Sequence, residues 1–253
     1  MHSIAVAAIV LACTFGGALL GIRSRLALPA HHLNQDSKEL VQLCMGLIAT
    51  MTALILGLVT ASAKASFDAE DAAVHTSAED VLMLDRMLAS YGPETTPLRA
   101  DMREAIQRTI TSTWQDDRTP AQSVAAAAGE PLAQVVLKGI LALAPQTDAQ
   151  RWQQSQALAL ASDALKTRWL AITGTSSPVP TPLLAIIVFW LTALFWSFGL
   201  FAPRNTTVTA VLLLSALSVS FCVLLILELQ SPFTGVLRIS SAPLHFALEH
   251  LGG

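Results

Sequence analysis

Four stretches of the chain, 4–22, 40–63, 182–202 and 207–227, are apolar with few or no charges. Each is close to the roughly 20 residues that a helix needs to cross a bilayer core. Between the second and third stretches polar positions return, but in helical register. "TPLRADMREAIQRTITSTW" opens with Thr96 and Pro97 as cap and first position, then repeats Leu98, Met102, Ile106 and Ile110 at four-residue steps. Helical periodicity resumes in "EPLAQVVLKGILALA" and again after Asp148, where Leu158, Ala161, Leu165, Trp169 and Ile172 form a stripe. Nothing in this segment alternates with the period of two that a strand requires. The pattern predicts an all-α membrane protein with four transmembrane helices and a helical extramembrane domain inserted between the second and third spans. The expected division is 1–63 (spans one and two), 64–180 (helical domain), 181–229 (spans three and four) and 230–253 (interfacial amphipathic tail).

Small residues give the first two spans distinct faces. The first carries Ala8, Ala12 and Gly16 at four-residue steps and a Gly17-x-x-x-Gly21 pair, which permits close backbone approach by another helix. The second has a small face of Gly46, Thr50, Ala53 and Gly57 beside a bulky stripe of Leu47, Met51, Leu54 and Leu58. The first span is expected to pack on the small face. From Lys64 to Tyr91 there is neither Gly nor Pro, so the second helix is expected to run beyond the membrane until "YGPETTP" stops it.

Composition agrees with the spans. Of 253 residues 53% are apolar and 13% charged, against about 25% charged in soluble domains. Fourteen of 18 acidic and ten of 15 basic residues fall in 64–180. With a net charge of −3 and no Lys/Arg block, nucleic acid is excluded as a partner and the bilayer is the expected one. The first span lacks a positively charged leading region and reads as an uncleaved helix. Orientation is undetermined, because Arg23, Arg25, Lys38 and Arg204 on one side balance Lys64, Lys166, Arg168 and Arg238 on the other. An even number of spans places both termini and the helical domain on one face.

Candidate chemistry is sparse. Cys13, Cys44 and Cys222 lie within spans, with neither a disulfide framework nor a metal-ligand spacing. The pairs His31/His32 and His245/His250 lack the spacing and companions of a metal site. No cofactor or metal is expected, and the absence of a Ser-His-Asp, phosphate-loop or HExxH pattern argues against an enzyme. An acidic run, Asp68, Glu70, Asp71, Glu79, Asp80 and Asp85, precedes the first counter-charge, Arg86.

The end of the fourth span, "LELQSPFTGVLRISSAPL", places Glu228 near the interface. Two Ser/Pro devices follow, Ser231-Pro232 and Ser241-Ala242-Pro243, the latter ahead of Leu244, Leu248 and Leu251. Both read as starts of short interfacial turns or helices. A last membrane helix running into Glu-x-x-x-Pro-Phe, here Glu228, Pro232 and Phe233 with Gly235, resembles the end of the channel region in bestrophins. "LPAHHLNQDSKELV" and "ELQSPFTGVLRIS" are more similar still to a bacterial bestrophin-like family of integral membrane proteins.

The resemblance implies a homo-oligomer, a pentamer in bestrophins, with the second span lining a central pore. It also implies a helical domain in the cytoplasm and residence in a bacterial inner membrane. Two family features have no counterpart: Val236, Leu237 and Arg238 stand where the calcium clasp of animal members needs carboxylates, and the second span has no aromatic residue to narrow a neck. On this reading Leu47, Met51, Leu54 and Leu58 form an apolar constriction, and Asp68, Glu70 and Asp71 ring the pore mouth and favour cations among the inorganic ions. The rival reading is a non-conducting membrane sensor or scaffold that binds a partner through its helical domain.

Overall fold

A computed structural model describes residues 2–27, 35–114, 132–174, 181–203, 205–233 and 235–251. Its α-helices are α1 (His2–Ala27), α2 (Gln35–Tyr91), α3 (Thr96–Thr113), α4 (Leu132–Leu141), α5 (Asp148–Gly174), α6 (Thr181–Phe201), α7 (Thr206–Leu229) and α8 (Ala242–His250). A 3-10 turn, Pro93–Thr95, precedes α3, and no strand occurs among the described residues. Four helices, α1, α2, α6 and α7, are long and apolar enough to cross a membrane. The chain forms two compact units, Met1–Ala65 with Ser177–Gln230 and Ser66–Ser176 with Ser231–Gly253.

In the first unit α1 packs along α6 and against α7. Lipid tails are as apolar as leucine, so helices associate in a bilayer through close packing rather than through the hydrophobic effect. The glycines supply that closeness in both directions. A Cβ on Gly21 would overlap the backbone carbonyl of Trp196, one on Gly17 would meet the carbonyl of Thr192 at 2.9 Å, and one on Gly199 would overlap the carbonyl of Ala18. Residue numbers rise together along the contact, so α1 and α6 are parallel. The antiparallel α7 is fixed by the Ser220 hydroxyl, which donates to the Ala7 carbonyl at 2.6 Å, and by Ala18 clustering with Phe195, Leu212 and Ala216. At the far end the Arg25 guanidinium donates to the Ala202 carbonyl at 2.8 Å, a cation at the C-terminal end of α6, where the helix dipole favours one.

This arrangement corrects one expectation. The glycine face of α1 is occupied by α6 and not by the second span. A Cβ on Gly46 or Gly57 would meet nothing within 4 Å.

The second unit is built from the later part of α2 with α3, α4, α5 and α8 around Leu88, Met102, Ile106, Val136 and Ile140, all nearly inaccessible. The stripe read from sequence in α3 is buried throughout. In α5 Ala161 is buried and Leu158 packs against the core; the side chains of Leu165, Trp169 and Ile172 lie outside the described residues. Helix α2 is unbroken to Tyr91 and stops at Gly92, whose φ of 145° is open to glycine but not to most residues. The cap of α3 is one residue earlier than Thr96. Thr95 occupies it, and its hydroxyl turns back to the carbonyls of Leu88 and Gly92 at 2.6 and 2.8 Å, tying α3 to the end of α2.

Two further expectations change here. Asp85 does not share the exposure of Asp68 and Glu79, with which it forms one acidic run in sequence. It is buried and paired in two parallel bonds with Arg99, Nε to Oδ1 at 2.7 Å and Nη2 to Oδ2 at 2.8 Å, a geometry that suits the planar guanidinium. The hydrogen bond and charge of Asp85 raise the pKa of Arg99 further. The tail, expected to lay its apolar side in the membrane interface, instead buries Leu244, Ala247 and Leu251 in the core of this unit, and Arg103 donates to the Leu251 carbonyl at 3.0 Å. Of its two Ser/Pro devices only the second starts a helix; after Ser231-Pro232 the chain makes turns.

Gly21→Leu forces a side chain into the α6 backbone and is expected to destabilise the first unit by about 3 kcal/mol, the upper end for overpacking. Thermal melting in detergent reads the loss, and an unchanged melting temperature would contradict the close approach.

Candidate functional site

Helix α2 carries most of the residues that the sequence marks for function. Its 57 residues amount to about 85 Å at 1.5 Å per residue. Helix α2 differs from the other three apolar helices in one respect. Only 6% of its most apolar window is buried inside the chain, against 33%, 39% and 28% for α1, α6 and α7.

The bulky stripe is uncovered along its length. Leu47, Met51, Leu54 and Leu58 are each more than half exposed, and Leu40 and Leu43 extend the same face toward the start of the helix. Gly46, Thr50, Ala53 and Gly57, on the small face, are exposed as well. Thr50 satisfies its hydroxyl on the Leu47 carbonyl at 2.8 Å, so this face offers no unpaired polar group at that position. An α-helix meets its own backbone hydrogen bonds, so these faces tolerate lipid, but small side chains gain little from it and favour another helix.

Beyond Ala63 the helix becomes acidic. Asp68 is exposed, while Glu70 and Asp71 are half-buried. Desolvation raises the Glu70 pKa, so this carboxyl loses its charge at a higher pH than an ordinary glutamate. Asp68 and Asp71 stand three residues apart and share a helix face, with exposed Lys64 one turn before Asp68.

The tail motif is a closed loop. Glu228 is buried at the end of α7. After it, the Ile239 amide donates to the Pro232 carbonyl at 2.7 Å and closes the segment between them. Gly235 takes φ 94° there, in the left-handed region that favours glycine. Pro232 is buried and Phe233 half-buried, its ring edge-on to Trp114 at 5.4 Å between centroids. The Trp114 indole donates to the Ile239 carbonyl at 2.8 Å. Trp114 therefore holds the loop through its ring and its N–H together, a role that nothing in its local sequence announced. Val236, Leu237 and Arg238 form the exposed tip.

Among the described residues no group of three or more His, Cys, Asp or Glu is placed to hold a metal ion. His31 and His32 lie outside them. His245 is exposed, and His250 stacks on Phe246 at 4.1 Å with its Nδ1 at 2.8 Å from the Phe246 carbonyl. The structure thus places the bulky stripe and the small face on one helix, and the acidic residues on its continuation. It places Pro232, Phe233 and Gly235 in the Trp114-braced loop.

A family model described as Bestrophin-like domain matches residues 12–244. No curated protein and no solved structure matches the chain.

Phe233→Ala removes a half-buried ring and its edge-on partner. About 2 kcal/mol is expected, below the 3–5 kcal/mol typical of a fully buried phenylalanine. A melt of the purified variant measures it; a negligible loss would mean that Trp114 holds the loop through the Ile239 carbonyl alone.

Proposed function

The chain belongs to the bestrophin-like family, and from that premise we propose that it is an oligomeric ion channel whose pore is lined by α2. The observation that carries the proposal is the uncovered apolar length of α2 within a chain in which α6 and α7 both pack on α1. In a ring of identical chains the small face of Gly46, Thr50, Ala53 and Gly57 lies against a neighbouring subunit's helix. Leu47, Met51, Leu54 and Leu58 then face the axis, where a hydrophobic narrowing closes a pore by dewetting. The second unit, Ser66–Ser176 with Ser231–Gly253, is an extramembrane helical domain, and by family likeness it lies on the cytoplasmic side of a bacterial plasma membrane. No catalytic step is assigned to it.

Asp68, Glu70 and Asp71 follow the membrane end of α2 by one to two turns. Repeated around an axis they give a negative mouth, in which three carboxylates outweigh the ammonium of Lys64, and such rings concentrate cations. Cation selectivity follows. Because burial raises the Glu70 pKa, acidification neutralises that carboxyl early, so the preference weakens as pH falls.

Two measurements on protein reconstituted into liposomes test the proposal. Met51→Ser or Leu54→Asn is expected to raise basal ion leak by about tenfold or more, since a polar side chain in a dewetted constriction admits water. Unchanged flux at equal incorporation removes these positions from a pore and favours the non-conducting scaffold. Reversal potentials in asymmetric KCl are expected to show cation preference, reduced in the Asp68→Asn/Asp71→Asn double variant, reduced also at acidic pH, and larger at low salt, where screening is weaker. Anion preference in the unmodified protein, or no shift in the double variant, contradicts the acidic mouth.

A further inference from the structure

The first unit contains a cavity of about 480 Å³ between α2, α6 and α7, outside both the bulky stripe and the acidic mouth. Met45, Gly46, Phe198, Phe201 and Val211 form its apolar walls, with Gln42, Ser197 and Thr207 as polar members. The lining residues on α2, from Gln42 to Ala49, extend over about 10 Å of helix, so the cavity reaches from the end of the spans into the apolar layer. The space is open at Gly46, where a Cβ would meet nothing within 4 Å. An interior of this kind in a bilayer suits a hydrocarbon chain and does not suit an ion or a polar metabolite.

Its edge carries a charge. Ala202, a lining residue, is the one whose carbonyl accepts from Arg25 at 2.8 Å. That bond fixes a guanidinium beside the cavity while using one of its five N–H donors. A guanidinium presents its remaining donors as a fork that matches two phosphate oxygens. Among the described residues the surrounding charge has the same sign, with exposed Arg23 and Arg25 near this end of α1 against Glu39 near the start of α2. An anionic headgroup is attracted to that charge.

We propose that this cavity seats an acyl chain of an anionic phospholipid, with the lipid phosphate held by Arg25. None of its walls belongs to the pore-facing stripe; Gly46 alone is shared with the small face that a neighbouring subunit covers in the proposed ring.

The test uses full-length protein in mild detergent, with melting temperature followed as phosphatidylglycerol, phosphatidylcholine or inorganic phosphate is added. Phosphatidylglycerol is expected to stabilise at a concentration about tenfold below phosphatidylcholine, the size of effect that one charge-assisted contact supplies. Inorganic phosphate is expected to do nothing. Arg25→Gln abolishes the difference between the lipids and Arg25→Lys retains part of it. Ala49→Leu, which fills the space from outside the small face, weakens both lipids without changing oligomeric mass; should that variant fail to fold, Val211→Phe fills the same space from α7. Equal response to the two lipids in the unmodified protein overturns the proposal, as does an Arg25→Gln variant that keeps the preference. Stabilisation by phosphate alone overturns the acyl-chain part. An Ala49→Leu or Val211→Phe variant that binds both lipids as before but assembles to a different mass overturns it by assigning the cavity to a second copy.

Discussion

The backbone contact between α1 and α6 decides what every other apolar helix in the chain can do. Gly17 and Gly21 on one side and Gly199 on the other let two helices meet at carbonyl distance, and this occupies the side of α1 that any neighbour would otherwise use. The Ser220–Ala7 bond then seats α7 on the same helix. Helix α2 is left with two exposed faces of opposite character, one small and one bulky. In water such a helix would collapse onto the bundle. In lipid there is no hydrophobic drive to do so, and α2 remains available to other copies of the chain.

The second unit is organised differently, by burial from water. Its core is leucine, isoleucine, valine, methionine and alanine, and three polar contacts enter it as satisfied pairs: Asp85 with Arg99, the Thr95 hydroxyl with the Leu88 carbonyl, the Trp114 indole with the Ile239 carbonyl. Removing one partner of a buried pair costs several kcal/mol, because the other is left charged or unbonded in a medium that cannot solvate it. The Asp85–Arg99 pair ties α2 to the neighbouring α3, and the Trp114 bond joins segments 125 residues apart, fixing the C-terminal part of this unit to its middle. Membership in the bestrophin-like family covers both units, since the match runs from residue 12 to 244.

Much of this was readable from the chain. The four apolar helices follow from length and the absence of charge, the unbroken α2 from the lack of Gly and Pro, and the buried face of α3 from a four-residue repeat. What periodicity does not carry is the identity of the partner. Gly17-x-x-x-Gly21 says that some helix comes close, but Thr192 and Trp196 are ordinary residues more than half the chain away. Leu244 and Leu251 say that one side of the tail leaves water, and lipid or protein satisfies that equally well; the core of the second unit takes them. Asp85 was legible in principle, since it falls on the stripe Val74, Ala78, Val81 and Leu88, and a carboxylate on a buried face requires a partner. Counting it with Glu79 and Asp80 as one acidic run hid that signal. Trp114 had no local mark, because its bond reaches 125 residues away.

The central claim is that α2 is completed by other copies of itself around an axis. Imaging the purified, lipid-embedded protein down its symmetry axis tests this most directly. The account predicts a closed ring of subunits with a continuous axial path bounded by the Leu47, Met51, Leu54 and Leu58 face of α2. A monomer, a two-fold dimer, or a ring in which that face points outward to lipid would contradict it.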